Sequence, residues 1–119
     1  MGKLVGRTLD FGCGRGQDAH SLKLERFDPY YFPDMPKGVF NTVVVTYVLN
    51  TVSSPTDRNE IMGFVKTLLA AGGIAYFSVR NDKSNLNGWT SRGTWQGLIV
   101  LDLPVVTQNS NFTMYELKR

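Results

Sequence analysis

The chain is poor in the residues that build metal centres and covalent cross-links. It has one cysteine, Cys13, and one histidine, His20, in 119 residues. A lone thiol closes no intramolecular disulfide, and one thiol with one imidazole falls short of a protein-built zinc site. No apolar run reaches the roughly 18 residues of a membrane-spanning helix. The leading MGKLVGRT lacks the apolar core of a secretion signal. The expected compartment is therefore the cytoplasm, and the glycosylation-like Asn111-Phe112-Thr113 reads as chance. Internal repeats, low-complexity tracts and linkers are absent too. Charge is not lopsided: 13 Lys and Arg against 10 Asp and Glu leave a net +3, which permits an anionic partner without demanding one.

What is present suits one domain spanning residues 1–119, with 42% apolar residues to build a core. Arg7 to Phe11 reads as a short buried strand ended by glycine, and Gln17 to about Lys23 has room for two helical turns. Leu24 to Asp28 fits a second strand, and Pro29, Pro33 and Pro36 keep the next segment irregular. Phe40 to Tyr47 is β-branched and apolar, as a central parallel strand requires. Ser54, Pro55 and Asp57 form a helix start. Ile61, Met62, Phe64, Val65, Leu68 and Leu69 recur at helical spacing as its buried face, and Gly72 is the expected stop. Ile74 to Val79 reads as another central strand, Asn81 to Gly97 mainly as loop, and Leu101 to Leu117 as a closing hairpin turning at Gln108-Asn109-Ser110. The expected class is α/β, with a mostly parallel sheet and an antiparallel strand at one side.

The informative stretch is TLDFGCGRGQDAH, Thr8 to His20. A glycine-rich turn after the first strand lets a ligand approach the backbone at the carboxyl edge of the sheet. Dinucleotide sites use G-x-G-x-x-G. Here Gly12, Gly14 and Gly16 alternate, with Asp10 before them and Asp18 after. Carboxylates repel a pyrophosphate and attract a cation. S-adenosyl-L-methionine, which carries a sulfonium and an ammonium and no phosphate, fits that setting. Asp28 closes the second strand 18 residues after Asp10, where a carboxylate can accept hydrogen bonds from both ribose hydroxyls.

Asp10-Phe11-Gly12-Cys13-Gly14-Arg15-Gly16, Asp28, Val43 to Asn50 and Leu68 to Val79 together resemble the class I S-adenosylmethionine-dependent methyltransferases, over roughly Arg7 to Asp82. More narrowly, DFGCGRGQD, FDPYYFPD and YVLNTVSSPTDR are similar to a bacterial group of methyltransferases associated with DNA phosphorothioation. The resemblance implies a minimal Rossmann-like sandwich. It also implies a cofactor site drawn from Asp10, Phe11, Gly12, Cys13, Gly14, Gly16, Asp18, Asp28, Pro29, Tyr30, Thr46 and Tyr47.

The chain departs from that family in two places. Only six residues precede Arg7, and only 11 lie between Asp28 and Phe40, about what a crossover alone needs. The leading helix and the third strand are therefore expected to be absent, giving the order 2-1-4-5-7-6 with strand 7 antiparallel. The second strand then becomes an exposed edge, which a homodimer or a partner protein would cover. Tyr30, Tyr31 and Phe32 are candidates to stack on the adenine.

Several residues carry two readings. Asp28 suits a ribose or an Asp-Pro turn, and Asp18 suits the methionine amine or a helix start. Cys13 reads as a small filler and His20 as a surface residue. Tyr47, Asn50 and Asp82 are the catalytic candidates, with Tyr47 also suited to the core and Asp82 to an ordinary loop. Trp89, Arg92 and Trp95 could form a base-stacking platform or complete the core. No N-P-P-Y comes after the central strand, where Thr46-Tyr47-Val48-Leu49-Asn50 stands, and this speaks against an amino-methylating DNA enzyme. The methyl acceptor stays open among small molecules, proteins and nucleic acids. A non-catalytic cofactor- or partner-binding module is the alternative function.

Overall fold

The computed structural model describes residues 7–12, 25–28, 37–46, 48–81, 87–89, 95–97 and 99–119. Its strands are β1 (Thr8–Phe11), β2 (Glu25–Phe27), β3 (Phe40–Thr46), β4 (Leu69–Arg80), β5 (Asn87–Trp89), β6 (Trp95–Gly97), β7 (Val105–Gln108) and β8 (Phe112–Lys118). A 3₁₀ turn (Leu49–Thr51) and the helix α1 (Pro55–Thr67) lie between β3 and β4. Six strands form one sheet in the order β2-β1-β3-β4-β8-β7, and β5 and β6 form a separate hairpin. β2, β1, β3 and β4 pair in parallel, while β8 runs antiparallel to both its neighbours. The architecture is thus α/β with a mixed sheet. The leading helix and third strand expected to be missing would fall on residues 1–6 and 29–36, outside the described residues.

Alternation along the strands separates two faces. Leu9 and Phe11, Val43 and Val45, and Ala75, Phe77 and Val79 share one core cluster with Val65 and Leu68 of the helix region. The intervening Asp10, Tyr76 and Ser78 turn to the other face and are also buried, so the middle of the sheet is covered on both sides. β3 and β4 are the most apolar runs because each has neighbours left and right as well as above and below.

α1 starts as its residues dictate. Ser54 is extended at the N-cap, its Oγ accepts a hydrogen bond from the Asp57 N–H at 3.2 Å, and Pro55 opens the first turn. Two expectations are corrected by this region. Phe64 is 46% exposed and lies beside Phe11, with ring centroids 6.0 Å apart, so it flanks the buried face without belonging to it. Gly72 does not stop the helix: α1 ends at Thr67 and β4 begins at Leu69. Gly72, with φ +78°, instead bends β4 where its register with β3 shifts. The helix end is closed from elsewhere. Arg119 Nη1 donates to the carbonyls of Lys66 (3.0 Å), Thr67 (3.3 Å) and Leu69 (3.0 Å), placing a cation on the negative end of the helix dipole.

At the opposite edge from the strand carboxyl ends, Arg7 ties three strands together. Its guanidinium holds Glu25 through Nε (2.6 Å) and Nη2 (2.8 Å) and lies 4.4 Å from the centroid of the Phe40 ring. Its main chain pairs with Asn41. The hydrogen bonds to Glu25 raise the Arg7 pKa, and the charge of Glu25 adds to this against the opposing effect of burial.

The structure also corrects the expected loop from Asn81 to Gly97. Part of it is a hairpin, in which Asn87 pairs with Gly97 and Trp89 with Trp95. β6 packs on the 3₁₀ turn after β3. Isolated three-residue strands carry little periodic signal, and the hairpin owes its place to that contact.

Candidate active site

β1, β2 and β3 end side by side at the carboxyl edge of the sheet. The chain leaves β1 toward β2 on one side and returns to β3 on the other. The edge above β1 and β3 is thus the topological switch point, the place at which open α/β sheets bind ligands.

β1 delivers Asp10, Phe11 and Gly12 to this edge. Asp10 pairs between Arg26 of β2 and Val44 of β3 and is only 8% exposed. Phe11 packs into the core, 5.2 Å from Phe27 between ring centroids. Gly12 turns the chain away with φ +74°, which L side chains adopt at a cost, and its N–H donates to the Phe27 carbonyl at 2.7 Å. A Cβ at Gly12 would lie 2.5 Å from Cγ2 of Val48. The bare backbone is therefore demanded twice, by dihedral angle and by space. Asp28 comes directly after β2 and is half-buried. The Gly12–Phe27 hydrogen bond sets it one strand spacing, about 4.8 Å, from the glycine turn. Asp10 and Asp28 each engage in a polar or electrostatic interaction of their own.

Thr46 ends β3 exposed at the same edge, and the 3₁₀ turn holds Leu49 and Asn50 at 1% exposure each. Asn50 is buried in that turn and takes part in an interaction within the protein. Of the sequence candidates, the structure thus gathers Asp10, Phe11, Gly12, Asp28, Thr46 and Asn50 at one edge. Cys13, Gly14, Gly16, Asp18, Pro29, Tyr30, Tyr47 and Asp82 lie outside the described residues, as do His20, Tyr31, Phe32 and Arg92. Trp95 lies over Gly97 of its own strand, where a Cβ would collide with the indole.

Val48 is the site residue that motif reading passed over. It has no chemistry of its own, and nothing local marks it. Its role arises from a contact with Gly12 on another strand end. Among the described residues, no group of three or more His, Cys, Asp or Glu is arranged to hold a metal ion, and no helix is long and apolar enough to cross a membrane.

Gly12, at positive φ and packed against Val48, lies at the same strand edge as Asp10 and Asp28. Residues 2–112 match the family model described as a methyltransferase domain. The N-methyltransferase NodS from Bradyrhizobium japonicum WM9, in complex with S-adenosyl-l-homocysteine, shares the fold with a TM-score of 0.60 at 13% identity, over 96% of this chain and 78% of that one. A second NodS structure gives 0.58 at 14% identity, over 98% and 87%. PKMT2 from Rickettsia typhi in complex with AdoHcy is matched over 64% of this chain and 21% of that chain, at 20% identity and a TM-score of 0.44. No curated protein sequence matches the chain. The chain belongs to the methyltransferase domain family.

Proposed function

We propose that the methyl donor lies in the crevice above β1 and β3, held by Asp10, Phe11, Gly12, Cys13, Gly14, Gly16, Asp18, Asp28, Pro29, Tyr30, Thr46 and Tyr47. The observation that carries this reading is the Gly12 turn, closed by Val48 and flanked by Asp10 and Asp28. Asp28 accepts from the ribose hydroxyls. Asp10 keeps the crevice negative toward a cationic ligand. Val48 and the 3₁₀ turn wall off water on the β3 side.

Bound S-adenosyl-L-methionine supplies an electrophilic methyl carbon, whose bond to sulfur breaks as an acceptor lone pair attacks, leaving S-adenosylhomocysteine. The protein contributes position and exclusion of water, so no general base is required. Tyr47, Asn50 and Asp82 are the residues proposed nearest the acceptor. The buried Asn50 carries a neutral amide, which suits a positioning role better than a proton-transferring one.

The narrower kinship with phosphorothioation-associated methyltransferases, a reduced sheet without third strand or leading helix, a single domain over residues 1–119, a cytoplasmic setting and a homodimer or partner over the β2 edge complete the proposal. They rest on the sequence segments around Asp10, Asp28 and Tyr47 and on the short spacings before Arg7 and Phe40.

Calorimetry with S-adenosylhomocysteine and NADH tests the site. Binding of the first in the micromolar range with no binding of the second is expected. Binding of NADH alone would transfer the crevice to a dinucleotide.

A further inference from the structure

Two cavities flank the segment 99–103, which leads toward β7. One, of about 630 Å³, opens beside the carboxyl end of β4 and is walled by Asn81 and Tyr115. The other, of about 590 Å³, is a groove between this segment and α1, reached from the sheet by Leu117 of β8. On α1 it is bordered by Pro55, Arg58, Met62 and Lys66, whose spacing of three or four residues makes one stripe along the helix. From Pro55 to Lys66 the stripe runs about 16 Å.

The groove lies where the fold leaves a gap. β4 and β7 run parallel, with the antiparallel β8 between them. Parallel strands are usually joined by a helix that covers the sheet. Among the described residues, the chain between β4 and β7 holds β5, β6 and the irregular segment 99–104, and no helix. Met62, Ile99, Leu103 and Leu117, which line the groove, are only partly buried. Val100 at its rim is 85% exposed.

The two sides of the groove differ in charge. Arg58 and Lys66 stand on the helix side and Asp102 on the segment side. Arg58 is fixed at the rim, since its Nη1 donates to the Val52 carbonyl at 2.5 Å. Arg119 adds a cation at the far end. It follows Leu117 by two residues and so shares its face, and its guanidinium sits on the last carbonyls of α1. Among the described residues, three cations thus stand there against one acid.

From this arrangement we infer that the groove docks a helix of another protein, one with an apolar stripe flanked by acidic residues. Three observations carry it. The half-covered side chains along the groove gain burial from an apolar stripe, as helix-in-groove recognition requires. The length of the α1 stripe matches about three helical turns, and the place is the one a crossover helix would fill. The cations on the α1 side and at its end complement carboxylates on the flanks of the incoming helix. A second copy is the poorer occupant, because it brings the same cations and a net charge of +3. The inference does not depend on the methyl-donor reading, since the groove follows α1 and not the ends of β1 and β3.

The test uses the whole chain and three capped peptides of about 14 residues, long enough to fill the groove. The first carries Leu at every third or fourth position with Glu on both flanks. The second has Lys in place of each Glu. The third has the composition of the first in an order that breaks the stripe. Each is titrated while the methyl signals of Met62, Leu101 and Leu117 are followed by NMR. The acidic striped peptide is expected to shift these signals, and the other two to bind at least about tenfold more weakly. Lys66→Glu, at an exposed position, should weaken the acidic peptide about threefold and strengthen the basic one by as much. Equal affinity for the acidic and basic peptides, or shifts confined to other methyls, overturns the inference. Movement of the same signals on concentrating the protein alone, with a dimer in sedimentation, would give the groove to a second copy and overturn it too. So would movement on adding phosphatidylglycerol vesicles while the acidic peptide moves nothing, which would make the groove a lipid-facing surface.

Discussion

Val48 stands against Gly12 so closely that a single added carbon on the glycine would lie 2.5 Å from its Cγ2. The contact joins the end of β1 to the turn after β3, and it makes the floor of the crevice a property of two strand ends rather than of one motif.

Gly12→Ala should therefore be severe. The left-handed backbone costs about 1–2 kcal/mol for a residue with a Cβ, and overpacking against Val48 adds about 1–3 kcal/mol. Denaturant unfolding should show a loss near the sum, and calorimetry should show S-adenosylhomocysteine binding abolished. Adding Val48→Ala should return the packing part alone. Full recovery in the double variant would mean that φ +74° carries no strain.

Asp28→Ala is expected to leave the fold intact and to weaken S-adenosylhomocysteine by about 1–3 kcal/mol, the usual loss when a hydrogen-bonding carboxylate is removed. Asp28→Asn should lose less, since one oxygen remains as an acceptor. Affinity unchanged in both variants would take Asp28 out of the site.

Ser54→Ala removes the acceptor for the Asp57 N–H. The expected cost is about 1 kcal/mol, seen as a Tm lowered by roughly 4 °C in a domain of this size. The effect on cofactor affinity should be small, because the cap lies on the helix and not on the crevice.

Gly97→Ala places a carbon where the Trp95 indole rests. The ring must swing away, and in a Trp89→Phe background its fluorescence emission should shift to longer wavelength. Stability should change little, because the moving group is the end of a side chain. An unchanged spectrum would show that the indole lies elsewhere.

Arg7→Lys keeps the charge but loses the two-point grip on Glu25 and the flat contact with Phe40. A lower Tm is expected, together with weaker protection of β2 amides in hydrogen exchange. The Arg7 pKa is raised in the fold, so its contribution is complete below the unfolded value and is lost only as pH climbs through the folded one. Thermal stability should accordingly show no dependence on this guanidinium across the neutral range.

The strands β1, β3 and β8 and the start of α1 are legible in the sequence because their signals are local. Alternation, a β-branched run and an N-cap with proline act within a few residues. Gly72 misleads for a related reason. A glycine at positive φ serves a helix end and a strand bulge equally well, and only the register with β3 tells them apart. Phe64 keeps to the helical period yet lies half-exposed, because the period names a face and not the width of what covers it.

For the site, the spacing of acids and glycines argues for a cationic nucleoside over a pyrophosphate, since charge and backbone freedom are written in residue type. Val48 over Gly12, the hairpin on the 3₁₀ turn and the cavity walled by Asn81 and Tyr115 have no such signature. Each joins segments far apart in the chain, and such contacts come into being only when the sheet order brings their strand ends to a common edge.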